Sequence, residues 1–282
     1  MRKTNVGDVS SPGVDKKIGL IAGQGAFPIY FAEAAHRRGE KVIAVALKEE
    51  ADPSIEKHVD AVTWLSLGQL GKTIEYFKTQ GVTRAVMAGR VRHTQLFRGI
   101  VPDWRAAKLL TSVANKKAAS ILSAVTDEFN KDGIAFLPST TYLDNWLCPD
   151  GLFTKRRMTS AEEADVAFGW PLARALAGQD IGQTLVVKDK TVVAVEAMEG
   201  TDDCIRRAGR VAGDGCVVIK VARPKQDLRF DIPVVGARTL ASMQEAGAQV
   251  LALETGKTLL LEKEKLIEIA NASELTLTGL HL

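Results

Sequence analysis

The sequence predicts an α/β protein in two parts. The first is a Rossmann-like N-terminal domain with a mostly parallel sheet, and the second is a mixed-sheet α+β C-terminal domain. Three observations carry this expectation. Over the first half, short apolar runs alternate with segments of helical spacing, the pattern of βαβ units. Past residue 150 the apolar runs outnumber the helical segments, and two of them are joined by a tight turn rather than a helix. Between the two patterns lies Leu147-Cys148-Pro149-Asp150-Gly151, a Pro- and Gly-containing break that follows a loop-like stretch over 139–145.

Taken in order, residues 17–22 (KIGLIA) form an apolar run that Gly23-Gln24-Gly25 interrupts. Phe27, Tyr30, Phe31, Ala34 and Ala35 then follow helical spacing, and Gly39 suits the left-handed residue past a helix end. Strands are expected at 42–47, 61–65 and 84–88, with a helix over 68–80. Residues 106–131 read as two helices and 134–137 as a strand. The second half restarts with a helix over 160–177, capped by Thr159 or Ser160 with Glu162 and Glu163 in its first turn. Strands at 183–188 and 191–197 flank Asp189-Lys190, a tight-turn dipeptide. A helix over 202–211, a strand over 216–222 and an alternating strand over 227–232 come next. A helix over 238–246, strands at 248–253 and 258–261, and a helix over 262–270 close the chain. The expected organisation is a polar tail over 1–16, the N-terminal domain over 17–147 and a catalytic C-terminal domain over 152–275.

Composition narrows the function classes. The 282 residues suit two domains of roughly 100–150 residues each. With 46% apolar and 25% charged residues the chain is ordinary globular material. Its 37 basic and 34 acidic side chains give +3, too balanced to suggest nucleic acid. Cys148, Cys204 and Cys216 form no close pair, so neither a disulfide scaffold nor a cysteine-rich zinc site is expected. No apolar run reaches the roughly 18 residues of a membrane span, and the first residues lack the apolar stretch of a signal peptide. These features together lead us to expect a cytoplasmic protein.

Four stretches carry candidate chemistry. Gly23-Gln24-Gly25 follows a strand and opens a helix, where backbone amides meet phosphates; Pro28 stands where the dinucleotide fingerprint has its third glycine. A plain βα turn is the alternative. Gly89-Arg90 ends another strand at the edge where open sheets bind ligands. Glu199-Gly200-Thr201-Asp202 joins a strand to a helix, with Arg206-Arg207 one turn on. Thr201 or Asp202 caps that helix, or the turn holds a phosphate with its metal ion. In Asp227-Leu228-Arg229-Phe230-Asp231-Ile232-Pro233, strand alternation puts Asp227, Arg229 and Asp231 on one face and Leu228, Phe230 and Ile232 on the other. Two carboxylates so spaced suit a hard cation or a bound water, and a solvated edge strand is the plain alternative. The four histidines show no metal-binding spacing, and neither a Walker A loop nor Gly-x-Ser-x-Gly occurs.

Ile21-Ala22-Gly23-Gln24-Gly25 with Pro28, Ala88-Gly89-Arg90-Val91, Leu137-Pro138-Ser139-Thr140-Thr141-Tyr142, the Glu196–Asp202 stretch and the Asp227–Gly236 stretch occur in that order. This ordered set resembles the LpxI-type UDP-2,3-diacylglucosamine pyrophosphatases of lipid A biosynthesis, from about Lys17 to Ile269. The resemblance implies two domains with the lipid between them. It implies hydrolysis to UMP and 2,3-diacylglucosamine 1-phosphate (lipid X) by water attack on the β-phosphorus, assisted by Mg²⁺. It also implies a family unlike the calcineurin-type phosphoesterases, whose His/Asp/Asn metal motifs are absent here. On that basis Asp227, Asp231 and Arg229 are the catalytic candidates, and Asp227, Asp231 and Asp202 the metal candidates, with Glu199 the alternative to Asp202. Gly23, Gln24, Gly25, Gly89, Arg90, Thr140, Thr141, Gly200, Thr201 and Arg206 are the substrate-binding candidates. The partner is a lipid-linked nucleotide sugar, with no nucleic acid and no transmembrane segment; transient contact with the inner-membrane surface and homo-oligomerisation are compatible with this. Two other classes compete: a nicotinamide-dependent oxidoreductase using Glu49 or Glu50 at the ribose, and a non-catalytic nucleotide-lipid carrier.

Overall fold

The computed structural model describes residues 16–91, 101–113, 118–224, 226–230 and 232–281. Asp231, Arg92, His93 and most of the polar tail lie outside the described residues. The chain divides after Leu137 into two compact units.

The first unit runs β1 (Lys17–Ala22), α1 (Phe27–Arg37), β2 (Lys41–Leu47), a 3₁₀ turn (Pro53–His58), β3 (Ala61–Leu65), α2 (Leu70–Thr79), β4 (Arg84–Ala88), α3 (Trp104–Ser112), α4 (Ala118–Asn130) and β5 (Ala135–Phe136). Its sheet has the order β3-β2-β1-β4-β5, and every pairing is parallel. Central strands covered on both faces must be apolar throughout, and β2 is buried from Val42 to Leu47. One helical layer packs through Phe77, Phe129 and Phe136. Phe129 meets Phe136 edge to face at 5.0 Å, a geometry that adds about 0.5–1.5 kcal/mol to simple burial. Asp103 positions two helices at once: one oxygen caps α3 by accepting from the Ala106 amide at 2.8 Å, and the other accepts from Gly71 of α2 at 2.7 Å.

The second unit runs β6 (Gly151–Leu152), α5 (Ser160–Gly178), β7 (Thr184–Lys188), β8 (Thr191–Val195), α6 (Thr201–Ala212), β9 (Val217–Lys220), β10 (Val234–Val235), α7 (Ala237–Glu245), β11 (Val250–Glu254), β12 (Leu259–Leu260), α8 (Lys263–Ala272) and β13 (Thr276–Leu280). The main sheet has the order β6-β13-β11-β9-β7-β8. Strands β9, β11 and β13 are parallel, while β7 runs against β9 and β8, and β6 against β13. Strands β10 and β12 form a small parallel pair. Thr159 and Glu162 form a reciprocal capping box at the start of α5. Asp189 and Lys190 both take positive φ (50° and 52°), as a two-residue hairpin of type I′ requires. The two faces sort by alternation: Leu185, Val187, Val217, Ile219, Val250 and Ala252 pack with Val166 and Trp170 of α5. Val186, Ala194, Val218, Leu251 and Leu253 pack with Cys204 and Ile205 of α6, Leu240 of α7 and Leu266 of α8.

Both units match the predicted fold class. Strands β6 and β10 are not anticipated from the sequence, and two further elements differ from expectation. Strand β13, placed between β6 and β11, is not anticipated from the sequence. The segment 227–230 is not a strand: Leu228, Arg229 and Phe230 form a turn closed by the Phe230 amide donating to the Asp227 carbonyl at 3.2 Å. The face assignment made for it fails with it, and Leu228 is 40% exposed rather than packed.

Candidate functional site

The glycine turn after β1 is bound to the turn after β4 through backbone alone. The Gly23 amide donates to the Ala88 carbonyl at 2.8 Å and the Gln24 amide to the Arg90 carbonyl at 2.8 Å. The Arg90 amide returns a bond to Gln24 at 3.0 Å. A Cβ on Gly23 would stand 2.7 Å from the Arg90 oxygen, and one on Gly89 (φ 93°) would stand 2.8 Å from the Gly23 carbon. These glycines are therefore required by a backbone crossing. Three amides that a phosphate would seek are already engaged. Gly25, at φ 97°, faces open space at the start of α1.

The equivalent edge of the second sheet is built from side chains. Lys220 ends β9, Thr184 begins β7 beside it in register, and Glu196 follows β8 with its amide donating to the Thr184 carbonyl at 2.9 Å. Counting by twos from Val218, Val186 and Ala194, all three side chains fall on the face covered by α6. The first residue of α6, Thr201, meets them there. Lys220 Nζ donates to Thr201 Oγ1 at 2.6 Å, and Thr201 donates to Glu196 Oε1 at 3.1 Å. The Thr184 hydroxyl lies 3.3 Å from the Thr201 hydroxyl. Lys220 is 5% exposed. Neither Thr201 nor Asp202 caps the helix, contrary to expectation. The cap position is Gly200 (φ 88°), which has no side chain to cap with, and Thr201 is the first residue of the helix. Asp202 faces α7, where Thr239 donates to it at 3.3 Å and Arg238 approaches at 3.5 Å. Glu199 is held by Arg207 at 2.5 Å, and that bond keeps its carboxyl below the usual range.

Beyond Lys220, a short segment leads into the Asp227 turn. Arg229 grips Asp227 with its Nε at 2.9 Å and a terminal nitrogen at 2.6 Å, and its amide reaches the same carboxylate at 3.1 Å. This pairing holds the Asp227 pKa below its ordinary value against the opposing effect of burial. The Leu228 carbonyl accepts from the Ser139 amide at 2.7 Å and the Arg229 carbonyl from the Ser139 hydroxyl at 3.0 Å. The stretch carrying Thr140 and Thr141 is thus joined to the Asp227 turn, and Thr141 folds back onto Pro138 at 2.6 Å. Arg206 points elsewhere, to Glu245 at 2.5 Å and Asp203 at 3.1 Å.

Among the described residues no three His, Cys, Asp or Glu side chains gather as metal ligands. Asp227 gives both oxygens to Arg229, and Asp202 is engaged by α7. The three cysteines are buried, and burial pushes the thiols of Cys148 and Cys204 up to about 12, far from nucleophilic character. The residues that sequence reasoning did not assign are Glu196, Lys220 and Thr184. The signal available for them was position: each lies at the end of an apolar strand, in phase with its buried face.

A parallel βαβ unit followed by a mixed sheet, with ionised side chains at the strand ends, defines a two-domain α/β protein of the kind that binds its ligand at the carboxyl edge. The LpxI N-terminal domain model matches residues 17–146 and the LpxI C-terminal domain model residues 149–278. The chain belongs to the LpxI family. The UDP-2,3-diacylglucosamine pyrophosphatase LpxI of Caulobacter vibrioides is 31% identical over 275 residues, covering 94% of this chain and 97% of that protein. Solved structures are remote. The biotin carboxylase domain of the Hydrogenobacter thermophilus 2-oxoglutarate carboxylase aligns at a TM-score of 0.28 with 12% identity, over 70% of this chain and 41% of that one. The gox2253 protein aligns at 0.31 with 10% identity, over 95% and 90%. Neither carries an argument about this chain. Among the described residues no helix is long and apolar enough to cross a membrane.

Proposed function

We propose that the protein hydrolyses the pyrophosphate of UDP-2,3-diacylglucosamine to UMP and 2,3-diacylglucosamine 1-phosphate, a step of lipid A synthesis. The observation that carries this is the near full-length match to a relative bearing that activity in its name. The chemistry of the second unit's edge supports it. Pyrophosphate cleavage needs charge placed against two phosphates and a positioned water, with little covalent work by the protein. Lys220, with its Thr201 partner, and Arg229, fixed by Asp227, supply positive charge with set orientation. Glu196 supplies a carboxylate.

Mg²⁺ belongs to this reading as an ion carried on the substrate's phosphates. It takes one or two protein carboxylates at most, and it would neutralise phosphate charge. The described side chains build no site of their own for it, and no step here is routed through it. The acyl chains require apolar surface, and the nucleotide requires the loops at the strand ends.

UMP release from UDP-2,3-diacylglucosamine, with Mg²⁺ and again with EDTA, tests the reading. We expect turnover with the ion and loss of turnover with the chelator; the absence of UMP under both conditions removes the activity. Asp227→Ala is expected to lower turnover by at least about 100-fold, because it removes the carboxylate that accepts two guanidinium hydrogen bonds from Arg229. The variant should remain folded and still bind substrate in an ultrafiltration assay, since the turn lies outside both cores. Near-native turnover would remove Asp227 from the site.

A further inference from the structure

The two carboxylate oxygens of Glu196 have different surroundings. Oε1 accepts from the Thr201 hydroxyl at 3.1 Å. Oε2 is buried and has no hydrogen-bond partner among the described residues. A buried carboxylate oxygen without a donor is costly, and each such atom in a folded protein calls for a cause. Across the same hydroxyl stands Lys220, 5% exposed, which spends one of its three N–H donors on Thr201 at 2.6 Å. Lysine and glutamate are therefore held on one hydroxyl, that of Thr201.

The chemistry of a molecule bound here follows from what each side needs. Lys220 offers a donor and Glu196 Oε2 needs one. A phosphate oxygen accepts only, and a cation serves the carboxylate alone. Water accepts from the ammonium and donates to the carboxylate. Asp227, by contrast, has both oxygens occupied by Arg229. The arrangement is assembled from three strands and a helix start, with Thr184, Lys220 and Glu196 all in phase on one face. A chance surface cluster would not show that order.

We propose that Glu196 is the general base of the hydrolysis and that Lys220 and Thr201 are its positioning residues. The inference rests on the pyrophosphatase reading. A lone pair of the water oxygen forms the new P–O bond, and the water proton passes to Glu196 Oε2. The electron pair of the bridging P–O bond leaves on the departing phosphate, and Glu196 then releases the proton to solvent. The charged groups that act on the Cys204 thiol of α6 are Glu196 itself, Lys220 of β9, Glu199 of the same loop and Arg207 of α6, with Glu199 paired to Arg207.

The test is UMP release from UDP-2,3-diacylglucosamine across pH by the wild-type protein, Glu196→Gln, Thr201→Val and Thr201→Ser, with a melting temperature for each. Glu196→Gln is expected to lower kcat by about 100-fold or more, leave KM within about threefold and remove the acid limb of the kcat profile. Thr201→Val is expected to lower kcat with KM unchanged, and Thr201→Ser to restore it. Should Glu196→Gln fail to fold, Glu196→Asp carries the test: it keeps the charge but retracts the oxygen, so kcat falls while the acid limb stays. Glu196→Gln with kcat within about threefold of wild type and an unchanged acid limb overturns the inference, as does a loss confined to KM. In those cases wild-type turnover leaves the pyrophosphatase reading standing. A wild-type protein that releases no UMP removes that reading, and this inference with it.

Discussion

The carboxyl edges of the two sheets solve the same problem with different material. At the first, Gly23 and Gly89 bring two backbone turns into contact, and the amides bond to each other's carbonyls. At the second, Glu196, Thr201 and Lys220 leave the backbone and meet through side chains under the start of α6. The first edge has spent its polar groups on shape. The second holds a buried lysine and a carboxylate oxygen that has no hydrogen-bond partner among the described residues. The glycine-rich turns use three of their amides in a backbone crossing, whereas the second edge gathers titratable side chains on one hydroxyl.

Three substitutions and one pH series put that comparison at risk. The largest effect is expected at the first edge. Gly89→Ala should destabilise the protein by about 2–4 kcal/mol, because the added Cβ meets backbone and the residue sits at φ 93°. The folded fraction of this variant should keep wild-type kcat. A selective loss of kcat would return the glycine turn to the catalytic machinery.

The second edge comes next. Lys220→Met removes the buried donor that shares the Thr201 hydroxyl with Glu196 and should destabilise the protein by about 1–3 kcal/mol, since buried hydrogen-bonding groups lose their partner. Adding Glu196→Gln should recover most of that loss in a double-mutant cycle read by urea unfolding. If the two losses simply add, the groups are not coupled.

Acid should weaken the second unit through Glu254. Burial pushes its carboxyl up, but Lys257, the Ala222 amide and Arg174 outweigh burial and hold the pKa below the ordinary 4.5. A depressed folded pKa means stability that is present above the unfolded value and is lost as pH falls through the folded one. Urea midpoints taken from about pH 7 down to about pH 3 should therefore fall below the ordinary carboxylate range, and Glu254→Gln should flatten that fall. An unaltered slope in the variant would mean that other carboxylates control the acid limb.

The smallest effect is expected for Arg206→Ala. Its guanidinium is spent on Glu245 and Asp203 on the exposed flank of α6, so kcat and KM should stay at wild-type values. A rise in KM would restore it to the phosphate-binding set.

Much of the fold is legible along the chain because its signals are local. Apolar runs with the period of a buried strand, glycines after helix ends, the Thr159–Glu162 capping box and the Asp189-Lys190 turn each depend on neighbours a few residues away. The reading failed where distant partners decide. The Asp227–Phe230 segment alternates like a strand, but the Asp227 carboxylate captures the Arg229 side chain and amide while Ser139 takes two of its carbonyls. Local side-chain bonds and one long-range contact thereby outweigh a weak alternation. Thr201 has a cap's residue type, but Gly200 takes the cap position and the Thr201 hydroxyl bonds Lys220 instead. β13 escapes notice because five residues near the end of the chain become a strand through the neighbours β11 and β6.

From the sequence alone came the two-part α/β architecture, most element positions and the ordered motif set, since periodicity, turn chemistry and motif order are properties of the chain itself. Tertiary structure decided which glycines serve a backbone crossing, which aspartate is bound by arginine, and that Glu196, Thr201 and Lys220 share one site. Those residues come from two strand ends and a helix start, and only hydrogen-bonded register and the packing of α6 on the sheet bring their side chains to a single oxygen.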